Sequence, residues 1–345
     1  MASIHQVRGV LLEEAVLMLL RAAGYRTVSE PGSDPTLGVV TAGLTVAGRG
    51  AKHQIDAIAD FRLGQPFSNP QRLLVEAKSY SDHRPIGLPI VRGTVGVLKD
   101  VSEYWVARDP QRPAPTRYHY QGAIFSSSAF TPDAQEYAFA QDVYLLPLAR
   151  SLNFAPVLQS IQAATERLDR RDDGQVPGLD LSSVRKAIRR RLQLDVLQEQ
   201  PVLAYPWLDP VVHAALAIGQ ALIATIGRAF PIFLVPRSGF DLDGLSTLER
   251  VEIYFSDQQN NQGWAIHRVD EPDPIFTFDL PEQLFALYAD EGRLSLRRAA
   301  DLKADYLSEL TAVYAPADQI KVFNFRLDPD WLRRVRERIP MRPDS

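Results

Sequence analysis

The sequence predicts an α/β protein: a mixed sheet flanked by helices, then a helical linker region and a second α/β (α+β) domain. Three observations support this fold class. Apolar residues recur at helical spacing over residues 4–23, and short apolar runs bounded by turn residues follow them. Residues 151–200 are charged and helix-like. The prolines Pro201, Pro206 and Pro210 then mark a boundary before a second alternation of strand-like and helix-like segments.

The N-terminal region is predicted to begin with a helix over residues 4–23, which Gly24 ends. The runs after it are typical of strands because each is short, apolar and bounded by turn residues. The predicted strands are residues 25–30, 37–47, 53–61, 72–80, 118–126 and 143–146. Residues 90–106 and 132–140 are predicted helices, and this order of elements indicates a mixed sheet covered on both sides.

The C-terminal region shows a second α/β pattern. The predicted strands are residues 232–235, 251–255 and 263–269, and the predicted helices are residues 280–288, 296–314 and 329–338. Residues 211–227 are apolar but too few for a spanning helix, so we expect a buried or interface helix and no membrane partner.

These patterns divide the chain into three parts. Residues 1–150 are expected to form the first domain, residues 151–210 a charged helical connector, and residues 211–345 a C-terminal α/β domain. The role of that last domain stays open between recognition, regulation and dimerisation.

Composition limits the chemistry. The chain has no cysteine, which excludes disulfides, thiolate zinc sites and a cysteine nucleophile. The apolar start is interrupted by charges such as Arg8 and Glu14 and lacks a signal-peptide layout, so a cytoplasmic location is expected. The net charge of −4 gives no overall basic field, although a local groove can still be basic.

Charged residues on two apolar strands point to a site. Glu76 and Lys78 share one strand face, and pairing of residues 53–61 with 72–80 would let Asp56 meet Glu76 across the ladder. Burying unpaired carboxylates costs several kcal/mol, roughly, so partners are expected. Carboxylate oxygens suit Mg²⁺, which can activate water and neutralise charge on a phosphate. The pattern indicates metal-dependent hydrolysis of a phosphodiester.

These residues resemble the PD-(D/E)xK restriction-endonuclease-like superfamily, and more narrowly its Mrr branch. Asp56 followed by Glu76-Ala77-Lys78 resembles the motif, although Ile55 stands in place of its proline. The likeness covers about residues 5–148, well under half of the chain. Further segments that carry it are Leu12-Glu13, Gly48-Arg49-Gly50, and residues 122–127 and 130–138.

The resemblance implies a restriction-endonuclease-like fold and a DNA endonuclease similar to type II restriction enzymes. Asp56, Glu76 and the Ala77 carbonyl would hold Mg²⁺, with Mn²⁺ as a substitute. Lys78 would assist the attacking water. By position Glu13, not Glu14, would orient the assembly or bind the ion through water.

Other residues have both a functional and a structural interpretation. Gln54 is expected to hydrogen-bond near the metal or to the backbone, and Arg92 to bind a DNA phosphate or to lie on a solvated helix face. Asp60 shares a strand face with Asp56 and is expected at its solvent end. The basic segments Arg185-Lys186 and Arg189-Arg190-Arg191 are interpreted as a DNA contact or as an exposed helix face.

The expected function is a Mg²⁺-dependent endonuclease in restriction or anti-phage defence, acting on DNA as a homodimer; the defence role rests on analogy. One alternative is a non-catalytic DNA-binding scaffold of the same fold, in which the acids and the lysine form a structural ion pair. Another is a nuclease kept silent until its C-terminal half binds a small-molecule or protein regulator. A resolvase acting on branched DNA is a weaker alternative.

Overall fold

A computed structural model describes most of the chain and divides it into two compact units, Met1–Ile218 and Gly219–Ser345. The described residues are 2–40, 43–64, 66–80, 84–104, 116–151, 153–168, 174–194, 204–218, 221–227, 230–258, 261–288, 295–314 and 319–338.

The first unit opens with helix α1 (Ile4–Ala22), preceded by the short strand β1 (Ala2–Ser3). The helix begins with a capping box, because the Ser3 hydroxyl accepts from the backbone N–H of Gln6 and the Gln6 side chain accepts from the backbone N–H of Ser3. Its apolar side chains are buried. The predicted N-terminal helix is therefore confirmed.

A mixed five-stranded sheet forms the centre of this unit, in the order β2-β6-β7-β8-β9. The first three strands are antiparallel, and β7, β8 and β9 run parallel. The strands are β2 (Tyr25–Val28), β6 (Ala57–Phe61), β7 (Gln71–Lys78), β8 (His119–Ser126) and β9 (Val143–Pro147). Helices α2 (Leu88–Ser102) and α3 (Pro132–Ala140) connect the parallel strands, as such connections require. The mixed α/β fold predicted for this region is confirmed.

A separate three-stranded antiparallel sheet consists of β3 (Leu37–Val40), β4 (Gly43–Ala47) and β5 (Lys52–Ile55). The predicted single strand over residues 53–61 is wrong, since the chain leaves this sheet at Ile55 and enters the central sheet at Ala57. Residues 37–47 likewise form a hairpin instead of one strand, and residues 41–42 lie outside the described residues. Apolar residues continue on both sides of each break, so composition does not reveal it.

The expected connector belongs to the first unit. Helices α4 (Ala155–Leu168), α5 (Leu181–Arg191) and α6 (Asp209–Ala217) all pack against α1. Strand β10 (Gln175–Val176) pairs with β1. The division at residues 150 and 210 therefore differs from the observed one, because these helices pack on α1 of the N-terminal region.

The second unit is a closed barrel in the order β11-β12-β15-β14-β13-β17-β16, with β13 and β17 parallel. The strands are β11 (Leu222–Ile226), β12 (Phe230–Pro236), β13 (Leu248–Gln258), β14 (Asn261–Arg268), β15 (Pro274–Phe278), β16 (Glu309–Tyr314) and β17 (Lys321–Leu327). The helices are α7 (Glu282–Tyr288), α8 (Leu296–Asp305) and α9 (Pro329–Arg338). Large apolar side chains such as Phe276 and Phe325 fill the core.

Two predicted helices of this region are wrong in part, and the expected α/β domain is a barrel with helices. Residues 211–227 contain most of α6 and the whole of β11, and residues 219–220 lie outside the described residues. Residues 296–314 contain α8 and then β16. Leu310, Ala312 and Tyr314 are buried alternately, which is strand spacing, but the preceding helix pattern masks it. No helix in the described ranges is long and apolar enough to cross a membrane.

Candidate active site

Asp56 lies at the bend where the chain passes from β5 to β6. In the register of β6 on β7, Ala57 faces Val75, so Asp56 comes next to the end of β7. There the backbone N–H of Ala77 donates a 2.9 Å hydrogen bond to Oδ2 of Asp56. The passage of the chain from one sheet to the other at this bend thus brings Asp56 next to β7, as expected if these two segments pair.

Glu76 and Lys78 lie on one face of β7, two residues apart, and their side chains form an ion pair. Burial favours the neutral amine, but the hydrogen bond and the charge of Glu76 together raise the pKa of Lys78. Burial and then the charge of Glu76 raise the pKa of Asp56, against the Ala77 N–H and Lys78. The two carboxylates therefore interact, and the ammonium is part of the same cluster.

Glu13, on α1, faces the same region from the helix side. Its Oε2 accepts a 2.6 Å hydrogen bond from Nη2 of Arg185. Burial raises the pKa of Glu13 to about 7; Arg185 opposes this rise and the charge of Asp56 adds to it. Glu14 is different, because it is fully buried and binds two arginines.

A cavity of about 150 Å³ is lined by Glu13 and Asp56, whereas Glu76 and Lys78 do not line it. Its polar lining consists of Glu13, Gln54, Asp56, Arg185 and Arg189, with Ser29 at one side. Gln54 on β5 therefore lines the same cavity as Asp56, and its role there stays a prediction.

Arg92 is not brought to this cavity. It is exposed on α2, and its guanidinium lies 5.7 Å from the ring centroid of Tyr137 on α3. Within the described residues, none of its contacts joins it to the acidic groups. A role for Arg92 on DNA stays a prediction.

Two arginines of α5 reach the acids of α1, a contact that the sequence did not indicate. Arg185 donates from Nη1 to Glu14 at 2.9 Å, and Arg189 donates from Nε to the same carboxylate at 2.8 Å. Residues four apart share a helix face, so the spacing of 185 and 189 indicated one basic face. It did not indicate that this face packs on α1.

Asp60 has a structural role and not the solvent-end position expected for it. It is 4 % exposed, and both its oxygens accept from the guanidinium of Arg72, which is itself 2 % exposed. Asp34 accepts a further 2.6 Å bond from Arg72. Arg26 donates a 3.0 Å hydrogen bond to Asp60, so two guanidiniums neutralise the two carboxylates and this cluster is separate from the site at Asp56.

The glycine-rich hairpin before β5 is held by α2. Both carboxylate oxygens of Asp100 accept backbone N–H groups there, from Gly50 at 2.8 Å and Ala51 at 3.1 Å. Nε2 of His53 lies 2.7 Å from Oδ2 of Asp100. A Cβ at position 48 would collide with that carboxylate, so Gly48 is needed for the close approach. The hairpin thereby fixes the strand that leads to Asp56.

The donor set fits a hard divalent cation. Asp56 and Glu76 offer carboxylate oxygens, and Mg²⁺ is commonly bound by one or two carboxylates while it keeps several waters. Among the described residues no three histidine, aspartate or glutamate side chains gather into a fuller cage. Burial and then the charge of Glu76 raise the pKa of Asp56, and a bound cation would oppose this rise because it favours the ionised carboxylate.

Comparison with known proteins gives one family match. Residues 4–150 match a family model, Mrr_cat, described as a restriction endonuclease. No curated protein matches the chain.

Two solved structures are similar. One is a protein of unknown function, AF1548, at 15% identity and a TM-score of 0.34, with 61% of this chain and 97% of that one covered. The other is the DNA modification-dependent restriction endonuclease AspBHI, at 16% identity and a TM-score of 0.25, with 42% of this chain and 32% of that one covered.

Proposed function

We propose that this protein is a metal-dependent DNA endonuclease that hydrolyses phosphodiester bonds. Its residues 4–150 match the restriction-endonuclease domain of the Mrr branch. The observation that carries this proposal is the convergence of Asp56, Glu76 and Lys78 at the end of β7. A nuclease of this kind leaves a 5′-phosphate and a 3′-hydroxyl.

Asp56, Glu76 and the backbone carbonyl of Ala77 would hold Mg²⁺, or Mn²⁺ in its place. The cation supplies Lewis-acid chemistry at the phosphate and at the attacking water. The N–H of Ala77 orients the Asp56 carboxylate through its hydrogen bond. These groups position the reacting phosphodiester at one end of β7.

Lys78 acts as a cation and not as a base. Its pKa is raised above the ordinary lysine value, so the ammonium keeps its proton at neutral pH. Nζ can therefore donate hydrogen bonds to a phosphate oxygen or to the attacking water. Arg185 holds Glu13 at the cavity, where its carboxylate would orient water.

Each site cleaves one strand, so cutting a duplex calls for two copies, and we propose a homodimer. The second unit would then serve recognition or regulation by a small molecule or protein. Restriction or defence against foreign DNA is the biological role that fits this activity, by analogy with the family.

Cleavage of supercoiled plasmid in Mg²⁺ tests the proposal. The wild type should nick and linearise the plasmid, whereas Asp56→Ala and Lys78→Ala should each lose at least about a hundredfold in rate. Asp133→Asn is the matched control, because Asp133 is an exposed acid at the start of α3. Equal cleavage by wild type and both site variants would reject the catalytic assignment.

A further inference from the structure

The basic face of α5 reaches the candidate site from outside the region that matches the endonuclease family. The match ends at residue 150, and α5 spans Leu181–Arg191. Arg185 and Arg189 project from one face of α5, and both line the cavity with Glu13 and Asp56. The first compact unit contains both segments. The cavity is therefore completed by a part of the chain that the family model does not include.

Buried Glu14 fixes the two arginines in place. One of its oxygens accepts from Nη1 of Arg185 and the other from Nε of Arg189. Arg185 also binds Glu13 through Nη2. Within the described part of the chain, Arg189 donates from Nε to Glu14 alone, so its two terminal amino groups keep their hydrogen-bonding capacity.

The net charge of the site favours binding of an anion near these amino groups. Four carboxylates (Glu13, Glu14, Asp56 and Glu76) face three cations (Lys78, Arg185 and Arg189) in the ion pairs and cavity described above. A divalent cation makes the sum positive by one charge, which suits a phosphodiester. Without the arginines of α5, the metal-loaded site would stay negative and would repel DNA.

The ion pair with Glu14 uses only one donor of Arg189. Arg185 shares its charge between Glu13 and Glu14, and Arg189 completes the neutralisation of these two carboxylates through Nε. Arg189 nevertheless stays partly exposed at the cavity, with 16% of its side chain accessible. A guanidinium held by Nε with its amino groups open is well suited to a phosphate.

We propose that Arg189 binds a DNA phosphate beside the scissile bond, so that α5 completes the substrate site of the nuclease domain. Glu14 is the positioning residue that orients this guanidinium. The inference rests on the proposed function, because it concerns the same site and the same DNA substrate.

DNA affinity in a cleavage-deficient background tests the contact. The full chain carrying Lys78→Ala is titrated, in Ca²⁺ and at several KCl concentrations, against a short fluorescein-labelled duplex of mixed sequence, followed by anisotropy. Adding Arg189→Gln should weaken binding by roughly tenfold, because one charge-assisted contact is lost. The slope of log affinity against log salt should become less steep by about 0.9, the share of one phosphate.

Lys186→Gln is the matched control, since it removes one positive charge from an exposed position on the same helix. It should leave the salt slope at its starting value. If Arg189→Gln and Lys186→Gln give the same slope and affinity while the wild type cleaves plasmid, the phosphate contact is wrong and the nuclease function stands. Absence of both cleavage and DNA binding in the wild type would overturn the two together.

A second variant covers the case in which Arg189→Gln does not fold. Arg189→Lys keeps the charge near Glu14 but lacks the planar fork that binds phosphate through two donors. Affinity at least about threefold below that of the Lys78→Ala parent supports the contact. Parental affinity in a folded Arg189→Lys protein rejects it.

Discussion

The backbone N–H of Ala77 donates a 2.9 Å hydrogen bond to Oδ2 of Asp56 and so joins the bend between two sheets to the end of β7. This bond orients a carboxylate whose pKa is raised by burial and by the charge of Glu76. A carboxylate in that environment destabilises the metal-free protein at neutral pH. A bound cation reverses the effect, because it favours the ionised form.

Asp56→Asn should therefore separate stability from metal binding. The amide oxygen of Asn can still accept from Ala77, and the loss of charge beside Glu76 is favourable. In EDTA we expect this variant to unfold at the same temperature as wild type or a few degrees higher, about 1 kcal/mol at most. Mg²⁺ should raise the unfolding temperature of wild type and leave that of Asp56→Asn unchanged.

Asp56→Ala is the companion variant, since it removes the acceptor as well as the charge. It should be less stable than Asp56→Asn by about 1 kcal/mol, the net worth of one hydrogen bond. An equal Mg²⁺-induced shift in all three proteins would contradict the assignment of Asp56 as a ligand.

The two neighbouring acids on α1, Glu13 and Glu14, should differ in how much they stabilise the fold. Glu14→Gln leaves Arg185 and Arg189 near a neutral amide in a buried site, and we expect a loss of about 3 kcal/mol in the free energy of unfolding. Glu13→Gln should cost about 1 kcal/mol or less, because burial already raises the pKa of Glu13 to about 7. Thermal unfolding at neutral pH measures both losses. Equal losses would show that the two glutamates do not differ in role.

Asp60 lies four residues from Asp56, so substituting it tests whether a nearby acid has a structural or a catalytic role. Asp60→Asn weakens both hydrogen bonds to buried Arg72 and should cost about 3 kcal/mol in unfolding free energy. Cleavage per folded molecule should stay within about twofold of wild type, because this cluster is separate from the site. Plasmid cleavage far below the folded fraction would place Asp60 in the chemistry.

Because Lys303 in the barrel unit is buried, the protein should become more stable as the pH rises into the alkaline range. It is 6 % exposed, its Nζ lies 4.9 Å from the ring centroid of Trp331, and burial lowers its pKa to about 8. Below pH 8 both folded and unfolded chains carry the proton, so the cost of burial is complete. Between pH 8 and 10.5 only the unfolded chain keeps it, and unfolding free energy should rise by up to about 3 kcal/mol.

Lys303→Met should remove that rise, while the tyrosines titrate equally in both proteins. Urea unfolding followed by tryptophan fluorescence, repeated from pH 7 to 10.5, gives the comparison. The same pH slope in wild type and variant would contradict the lowered lysine pKa.

Local signals explain which parts of the fold the sequence predicts. Helices α1 and α3 are capped by Ser3 and Thr131, whose side chains accept backbone N–H groups of the first turn. Such capping residues are visible in the sequence. The change of sheet at Asp56 carries no such signal, because apolar residues flank it on both sides. Strand β16 also carries no such signal, because its apolar residues follow directly on those of helix α8.

The candidate site is likewise predicted by the sequence only in part. Asp56, Glu76 and Lys78 are predictable because charges on apolar strands stand out. The contact between Glu14 and Arg185 spans 171 residues, and nothing local to either residue indicates its partner. Packing of α5 on α1 alone creates that pair, and packing over such a distance follows from the whole fold.

Crystals soaked in Mn²⁺ test the central claim most directly. Anomalous difference density should show an ion within coordination distance of the Asp56 and Glu76 carboxylates and the Ala77 carbonyl, with Lys78 beside it. An ion bound elsewhere, with those carboxylates still turned to their protein partners in crystals of active protein, would contradict the account.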